Sequence, residues 1–178
     1  MAMFATVQEL EDFTDASFTT GRATLAIELA SAACQSAAKS VNGTIEQIED
    51  DERTFDGSGT ALLTLPAWPV TDVSLIEVDG TEVTNFTWSR NGVLERTSGY
   101  WPKGRQNIVA TFTHGFADVP TEIKAVTLQA ASRAILNPAR LNSFSDGQVS
   151  VGFGGGGTGT QVLDLLSSER DMVVRAIR

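Results

Sequence analysis

The sequence contains only one cysteine, Cys34, and only one histidine, His114. A single cysteine cannot form an internal disulfide, and one cysteine with one histidine cannot supply the ligand set of a zinc site. Cys34 lies in an alanine-rich helical stretch, where a small core side chain is expected. We therefore expect no metal site and no metal cofactor in this chain.

The sequence also lacks the motifs of a hydrolase. A catalytic triad would have to use His114, with Asp118 nearby, but no activated-nucleophile motif accompanies them. The surrounding residues, THGFADVP, are typical of a strand end that leads into a helix. This context favours a turn histidine bonded to local backbone, and we expect no catalytic residue.

Long apolar runs are missing as well. The start, MAMFATVQELEDF, has no basic stretch, and the most apolar window, residues 25–34, is short and contains Glu28. Neither pattern fits a signal peptide or a membrane span. We expect a chain that is made and folds in a cytoplasm and has no membrane partner.

Basic residues are scarce. The chain has 13 Lys and Arg against 22 Asp and Glu, a net charge of -9, which argues against a protein that coats nucleic acid. Residues 1–89 hold 15 acidic and 3 basic residues, whereas residues 90–178 hold 7 acidic and 10 basic residues. This asymmetry fits head-to-tail contact between like subunits or an assembly with two different neighbours, and it also fits chance.

Glycine is abundant at one place, because six of the nine residues 152–160 are glycine. Gly154 and Gly159 have the spacing of a phosphate-binding loop, but Thr160 stands where that motif needs lysine, and no βαβ unit surrounds them. We therefore expect no nucleotide cofactor. The stretch is instead predicted to be a linker, residues 154–161, with a hinge at Gly154, Gly155, Gly156 and Gly157.

Periodicity predicts an α+β fold: a helical body, an antiparallel β-hairpin region and a C-terminal helix. Residues 1–153 form the predicted body, with helices at 6–13, 22–41 and 120–136 and a β region at 44–113. Thr6 and Glu9 fit a capping box. In the second helix an apolar stripe is predicted to contain Leu25, Leu29, Ala32, Ala33 and Ala37.

The β region contains two hairpin signals, Asp79-Gly80 and Asn91-Gly92, and its short strands are typical of an antiparallel meander. Residues 49–53, EDDER, lack the spaced ligands and glycine of a calcium loop and are interpreted as a solvated turn. Trp88 falls in a strand pattern and is expected in the core. Trp68 and Trp101 flank prolines and are predicted at subunit contacts.

Residues 162–178 are predicted to form a docking arm, because a short amphipathic helix beyond a linker needs a surface to bury its apolar side. The predicted docking residues are Leu165, Leu166, Met172, Val173, Ile177, Arg170, Arg175 and Arg178.

The order of these pieces resembles a known family. Residues 65–138 carry an "LP…PV" strand entry, a "VDG" hairpin, "WSRNGVL", a strand that ends in "THG", and "VPTEIKAV" before a helix that closes with "NP". Ser150-Val151, the glycines and "LSSERDMVVRAIR" continue the match. The chain is similar to head-to-tail connector proteins of long-tailed bacteriophages, also called adaptor or head-completion proteins, and most of all to versions from phages of actinobacteria.

This resemblance implies a structural virion protein of the neck, made in the host cytoplasm. It implies a homo-oligomeric ring, commonly of twelve copies, that binds under the portal protein, extends the DNA channel and seats the next neck (stopper) or tail protein. Double-stranded DNA would pass without sequence-specific binding. The C-terminal segment is the part expected to clasp the portal.

Three alternatives remain open at this point: another ring-forming neck or tail-completion protein, a generic binding module, and a nucleotide-using enzyme with an unfamiliar site. The missing lysine and the lone histidine count against the enzyme. The tethered terminal helix counts against a self-contained module.

Overall fold

The computed structural model describes residues 2–136, 143–146, 149–152 and 165–177. In this part of the chain four helices and antiparallel β-sheets form a mixed α+β fold, as the sequence predicts. The helices are α1 (Val7–Thr14), α2 (Thr20–Lys39), α3 (Thr121–Leu136) and α4 (Ser167–Ile177). The strands are β1 (Ile48–Gly57), β2 (Leu62–Thr64), β3 (Val70–Val78), β4 (Thr81–Glu82), β5 (Phe86–Trp88), β6 (Val93–Arg96), β7 (Gly104–His114), β8 (Ser143–Asp146) and β9 (Val149–Gly152).

The start of α1 confirms the predicted capping box. The Glu9 backbone N–H donates to Thr6 Oγ1 at 3.2 Å, and the Thr6 backbone N–H donates to Glu9 Oε2 at 2.8 Å. A hydrogen bond from Lys124 of α3 (2.7 Å), followed by those from Thr6, holds the pKa of Glu9 below its ordinary value. The helix ends at Asp15, whose φ of 49° places it in the left-handed region.

The buried side of α2 differs from the prediction. Leu25 and Leu29 are exposed, and the side chains that α2 buries are mostly small ones. Alanine packs where a neighbouring backbone approaches closely, which leaves the larger leucines outside. The buried residues are Ala23, Ala26, Ile27, Ala30, Ser31, Cys34, Ala37 and Ala38.

The predicted ends of α2 and α3 are close to the observed ones. Asn42 has φ 59°, and Gly43 N–H donates to Ala38 O at 2.9 Å, so Asn42-Gly43 ends α2. Most of the predicted apolar side of α3 is buried, namely Ile123, Val126, Ala130, Ala131 and Ile135.

The strands are antiparallel, but they do not follow a meander. The larger sheet has the order β1-β7-β3-β4, and a second sheet has the order β2-β6-β5. The expectation of sequential pairing was wrong because β1 pairs with β7, with Ile48 opposite His114 and Gly57 opposite Gly104. β8 and β9 pair with each other in a separate two-stranded sheet.

Both predicted hairpin turns are present. Asp79 and Gly80 both have positive φ (51° and 75°), as a two-residue turn between right-twisted strands requires. In the other turn Ser89 N–H donates to Val93 O at 2.9 Å, and only Gly92 has positive φ, at 74°. This second hairpin therefore has a three-residue loop with glycine at its left-handed position.

The chain divides into two units. One consists of Met1–Ser36 with Thr121–Val173, and the other of Ala37–Pro120 with Val174–Arg178. In the first unit, Phe4 N–H donates to Ser31 Oγ at 3.0 Å, and Cys34 Sγ lies 3.5 Å from Thr127 Oγ1. The second unit has a hydrophobic core of Leu63, Leu65, Ala67, Val70, Ile76, Leu94, Trp101, Ile108, Ala110 and Phe112.

Candidate functional site

The first turn of α4 is anchored by a buried carboxylate. Glu169 is 3% exposed, and its Oε2 accepts a 2.8 Å hydrogen bond from the Leu166 backbone N–H. The Arg170 backbone N–H donates to Leu166 O, which makes Leu166 the N-cap and Glu169 the third helical residue. This arrangement is one half of a capping box, with leucine where Ser or Thr would supply the other half.

Glu169 also binds Arg133 of α3. Arg133 Nη1 donates to Oε1 and Nη2 donates to Oε2, the latter at 2.8 Å, in a two-pronged ion pair. Planar guanidinium and carboxylate groups match in this geometry, which fixes orientation as well as attraction. The pair therefore fixes the start of α4 against α3.

The packing of α4 corrects part of the docking-arm prediction. Leu165, Val173 and Ile177 are buried within this chain, at 8%, 0% and 2% exposure. They are therefore not displayed for a partner. The reason is that α4 packs on its own chain and uses its apolar side there.

Other predicted docking residues do lie at the surface. Leu166 is 51% exposed and Met172 is 39% exposed, and Arg170 and Arg175 are also exposed. These four residues are the outward part of α4. Arg178 and the predicted hinge glycines, Gly154, Gly155, Gly156 and Gly157, lie outside the described residues.

Two of the three tryptophans were predicted in the wrong environment. Trp101 is fully buried, not at a contact surface, because it packs against Phe86 at a ring-centroid distance of 6.5 Å and lies beneath the Arg96 guanidinium. Trp88, expected in the core, is 38% exposed on β5. Trp68 is half-buried, and its indole N–H donates to Val41 O.

His114 is not a turn residue, as the sequence led us to expect, but part of a strand. It is the last residue of β7, is 1% exposed, and its Nε2 lies 2.9 Å from Asp51 Oδ2. Arg53 Nη2 contacts the same carboxylate oxygen at 2.7 Å. The expected local backbone bond is therefore replaced by a carboxylate partner 63 residues away. Among the described residues, His114 Nδ1 has no hydrogen-bond partner.

Burial and hydrogen bonding have opposite effects on the pKa of Asp51. Its partial burial alone would raise the pKa of this carboxyl, but hydrogen bonds from His114 and Arg53, with the charge of Arg53, outweigh the burial. The pKa of Asp51 is therefore lowered from its ordinary value. The contact between His114 and Asp51 joins β7 to β1 across the sheet.

The acidic run at residues 49–53 was interpreted as a turn, and that interpretation was wrong. These residues lie within β1, where Asp50 has φ 48° and marks a break in the β1-β7 register. A run of charged residues fits β1, because it is an edge strand of its sheet. In the described part of the chain, no group of His, Cys, Asp and Glu side chains could hold a metal ion.

Cys34 is a core residue, as predicted. Burial raises the pKa of its thiol to about 11, so the reactive thiolate is scarce at neutral pH. None of the helices that the structure describes is both long enough and apolar enough to cross a membrane.

Sequence reasoning missed the Arg133–Glu169 pair. The only local signal was Glu169 at the third position of a predicted helix. The motif was not recognised because leucine occupies the N-cap, where a capping box has Ser or Thr. Sequence reasoning also missed the exposed side of α2, because helical spacing grouped Leu25 and Leu29 with the alanines in one apolar stripe.

No protein-family model matches the chain, and no curated protein matches it at a significant level. Solved structures do match in fold. A chain of the structure described as the virion of a native gene transfer agent (GTA) particle has a TM-score of 0.59 and 13% identity, over 100% of this chain and 92% of that one.

Two further matches come from neck structures. A chain from the neck of an empty GTA particle, computed with C6 symmetry, gives a TM-score of 0.53 and 16% identity over 96% of this chain and 92% of that one. A chain from the neck of a native GTA particle, computed with C12 symmetry, gives 0.50 and 16% over 96% and 86%. At these identities the matches establish a shared fold.

Proposed function

We propose that this chain is a structural protein of the neck of a phage-like virion, where copies form a ring that joins head to tail. One observation carries the proposal: the fold match to a GTA virion chain covers all of this chain and 92% of the other. The sequence motifs at residues 65–138 support the same family without using the structure.

The ring is proposed to contain twelve copies. The related neck structures were computed with C6 and C12 symmetry, and a six-fold axis is also contained in a twelve-fold one. The net charge of -9 suits a channel through which double-stranded DNA slides, because an acidic wall repels phosphates. The chain has no role in reading sequence in this proposal, and no catalytic role.

The ring is proposed to bind under the portal protein, extend its channel and seat the next neck or tail protein. The outward residues of α4 are the proposed portal contact: Leu166, Arg170, Met172 and Arg175. Two apolar side chains beside two cations fit an acidic partner surface with an apolar centre. Repetition around a ring strengthens each weak contact.

A second candidate is another ring of the neck or a tail-completion protein. The same fold match favours it, since the related structures are of the neck as a whole and do not single out a layer within it. The two candidates differ in which protein lies on the head side of the ring.

The test is the position and mass of the ring in the particle that carries this chain. Electron cryomicroscopy of filled heads with and without the protein is expected to show added density directly under the portal. Native mass of the isolated neck is expected to contain multiples of the 18.9 kDa chain. Density elsewhere in the neck would favour the second candidate, and absence of the protein from the particle would overturn both.

A further inference from the structure

One side of α2 carries apolar side chains that the chain leaves exposed. Leu25 and Leu29, one helical turn apart, are 55% and 39% exposed. Ala32 continues the same line, and Glu28 is exposed beside it. A single exposed leucine needs no explanation, but two in line with a small residue form a strip that another surface can approach closely. Leu25, Glu28, Leu29 and Ala32 are called the α2 strip.

The α2 strip lies in an acidic part of the chain. Between residues 9 and 28 there are five acidic residues and one basic residue. A partner for the strip should therefore be basic around an apolar or aromatic centre.

The loops before β2 and before β7, with the first residues of those two strands, form a surface with those properties. Backbone hydrogen bonds join them, from Gly59 N–H to Trp101 O (2.9 Å) and from Trp101 N–H to Thr60 O (2.8 Å). Leu62 is 50% exposed and Tyr100 is 69% exposed. Lys103 and Arg105 are exposed as well.

The charge of this second surface is opposite to that of the α2 strip. Its charged members, Lys103 and Arg105, are basic, whereas the charged member of the α2 strip, Glu28, is acidic, and all three are exposed. Leu62, Tyr100, Lys103 and Arg105 are called the tyrosine loop. Tyrosine is enriched at interface centres because it buries a large apolar ring while its hydroxyl keeps a polar partner.

We infer that the α2 strip of one copy binds the tyrosine loop of the next copy. Every copy carries both surfaces, and the two are complementary in charge and in apolar character. Because they differ from one another, the contact is head-to-tail, the kind that repeats around a closed ring. The inference rests on the proposed function, which requires a ring, and it names the surfaces that build that ring.

Cross-linking between engineered cysteines tests the contact in the full-length protein. Ala32→Cys places a thiol within the α2 strip, Thr97→Cys places one beside the tyrosine loop, and both changes keep Leu25, Leu29 and Tyr100. Buried Cys34 does not compete, since its pKa is raised to about 11. With a short bifunctional maleimide at the highest soluble concentration, the double variant is expected to give a ladder of dimers, trimers and larger species.

The matched control replaces Thr97→Cys with Thr54→Cys, an exposed position on β1. This pair is expected to give no ladder, and Ala32→Cys alone is expected to give none. A dimer from Ala32→Cys alone would indicate a symmetric contact and overturn the inference. The absence of a ladder from the A32C/T97C variant, or an equal ladder from the A32C/T54C variant, would also overturn it.

Substitutions in the A32C/T97C background separate the contributions. Leu25→Ser with Leu29→Ser is expected to abolish the ladder, whereas Leu136→Ser, which removes an equally exposed leucine of α3, is expected to leave it intact. Glu28→Lys or Arg105→Glu alone is expected to reduce the ladder roughly threefold or more, and the two together to restore it. Restoration would be absent if these charges did not face each other.

Failure of the named contact and failure of the proposed function give different results. A neck protein located under the portal but without the A32C/T97C ladder would retain its function and refute the named contact. A ladder from a protein absent from the virion would retain the contact and refute the function.

Discussion

Ile177, in the last turn of α4, lies directly over Gly43, the residue that follows the left-handed Asn42 at the end of α2. An ideal Cβ on Gly43 would be 2.8 Å from Ile177 Cγ2 and 3.1 Å from Ala38 O. Such distances do not permit a side chain, so Gly43 is glycine because of close packing.

Gly43→Ala is therefore expected to lower the free energy of unfolding by about 1–3 kcal/mol, the usual cost of overpacking. Urea denaturation followed by circular dichroism measures the change. Gly21→Ala is the matched control, because nothing lies within 4 Å of a Cβ there, and it is expected to be neutral or slightly stabilising. Equal effects of the two substitutions would contradict the packing explanation.

Arg133→Met is expected to destabilise the protein by about 2–4 kcal/mol, because it leaves the buried Glu169 carboxylate without its cation. Replacing both residues, Arg133→Met with Glu169→Leu, is expected to recover part of the loss, since the unpaired charge is then absent. A double-mutant cycle of unfolding free energies measures the coupling. Additive single effects would show that the ion pair contributes no coupling.

The Asp51 ion pair predicts a dependence of stability on pH. The pKa of Asp51 is lower in the folded chain than its ordinary value of 3.8, so its contribution is complete above about pH 4 and is lost as the pH falls through the folded value. Asp51→Asn is expected to cost about 1–3 kcal/mol at pH 6, with a smaller difference from the unmodified protein below pH 4.

Urea denaturation from pH 2.5 to pH 7 tests this expectation. Glu52→Gln, an exposed change on the same strand, serves as the control and is expected to have little effect at pH 6. A difference between Asp51→Asn and the unmodified protein that stays constant with pH would argue against the ion pair as its source.

The substitution Leu166→Ser is expected to change fold stability and attachment to filled heads in opposite directions. Serine at the N-cap completes the capping box with Glu169 and is expected to stabilise the fold by up to about 1 kcal/mol. The same change removes exposed apolar surface from α4, so attachment to filled heads is expected to decrease.

Thermal denaturation and a head-attachment assay measure the two effects. Ser168→Ala, exposed on the same helix, is the control and is expected to keep attachment normal. Normal attachment of Leu166→Ser would remove this residue from the proposed portal contact. Reduced stability would contradict its position as the N-cap.

The elements of this fold could be predicted because their signals are local. Thr6 with Glu9 marks a helix start, Asn42-Gly43 marks a helix end, and Asp79-Gly80 marks a tight turn. Each signal depends on residues only a few positions apart. The hydrophobic pattern placed α3 correctly for the same reason.

The errors concern partners that are distant in the sequence. His114 was predicted to bond local backbone because no residue near it in the sequence points to Asp51. Trp101 was predicted at the surface because the residues that bury it come from distant parts of the sequence. Leu25 and Leu29 were grouped with alanines in one apolar stripe because their helical spacing matches, and spacing alone does not tell which side of the helix is buried. Which side of a helix is buried depends on how closely its neighbour approaches, and a single sequence does not state that distance.

The pairing of β1 with β7 has a consequence for the order of events during synthesis. Ile48 at the start of β1 pairs with His114 at the end of β7, so the sheet cannot close until the ribosome has added nearly two thirds of the chain. Until then β1 has no strand to pair with. Pairings between strands that are far apart in the sequence slow folding. The carboxylates of residues 49–52 favour solvation of the unpaired β1 and disfavour its pairing with strands of neighbouring nascent chains.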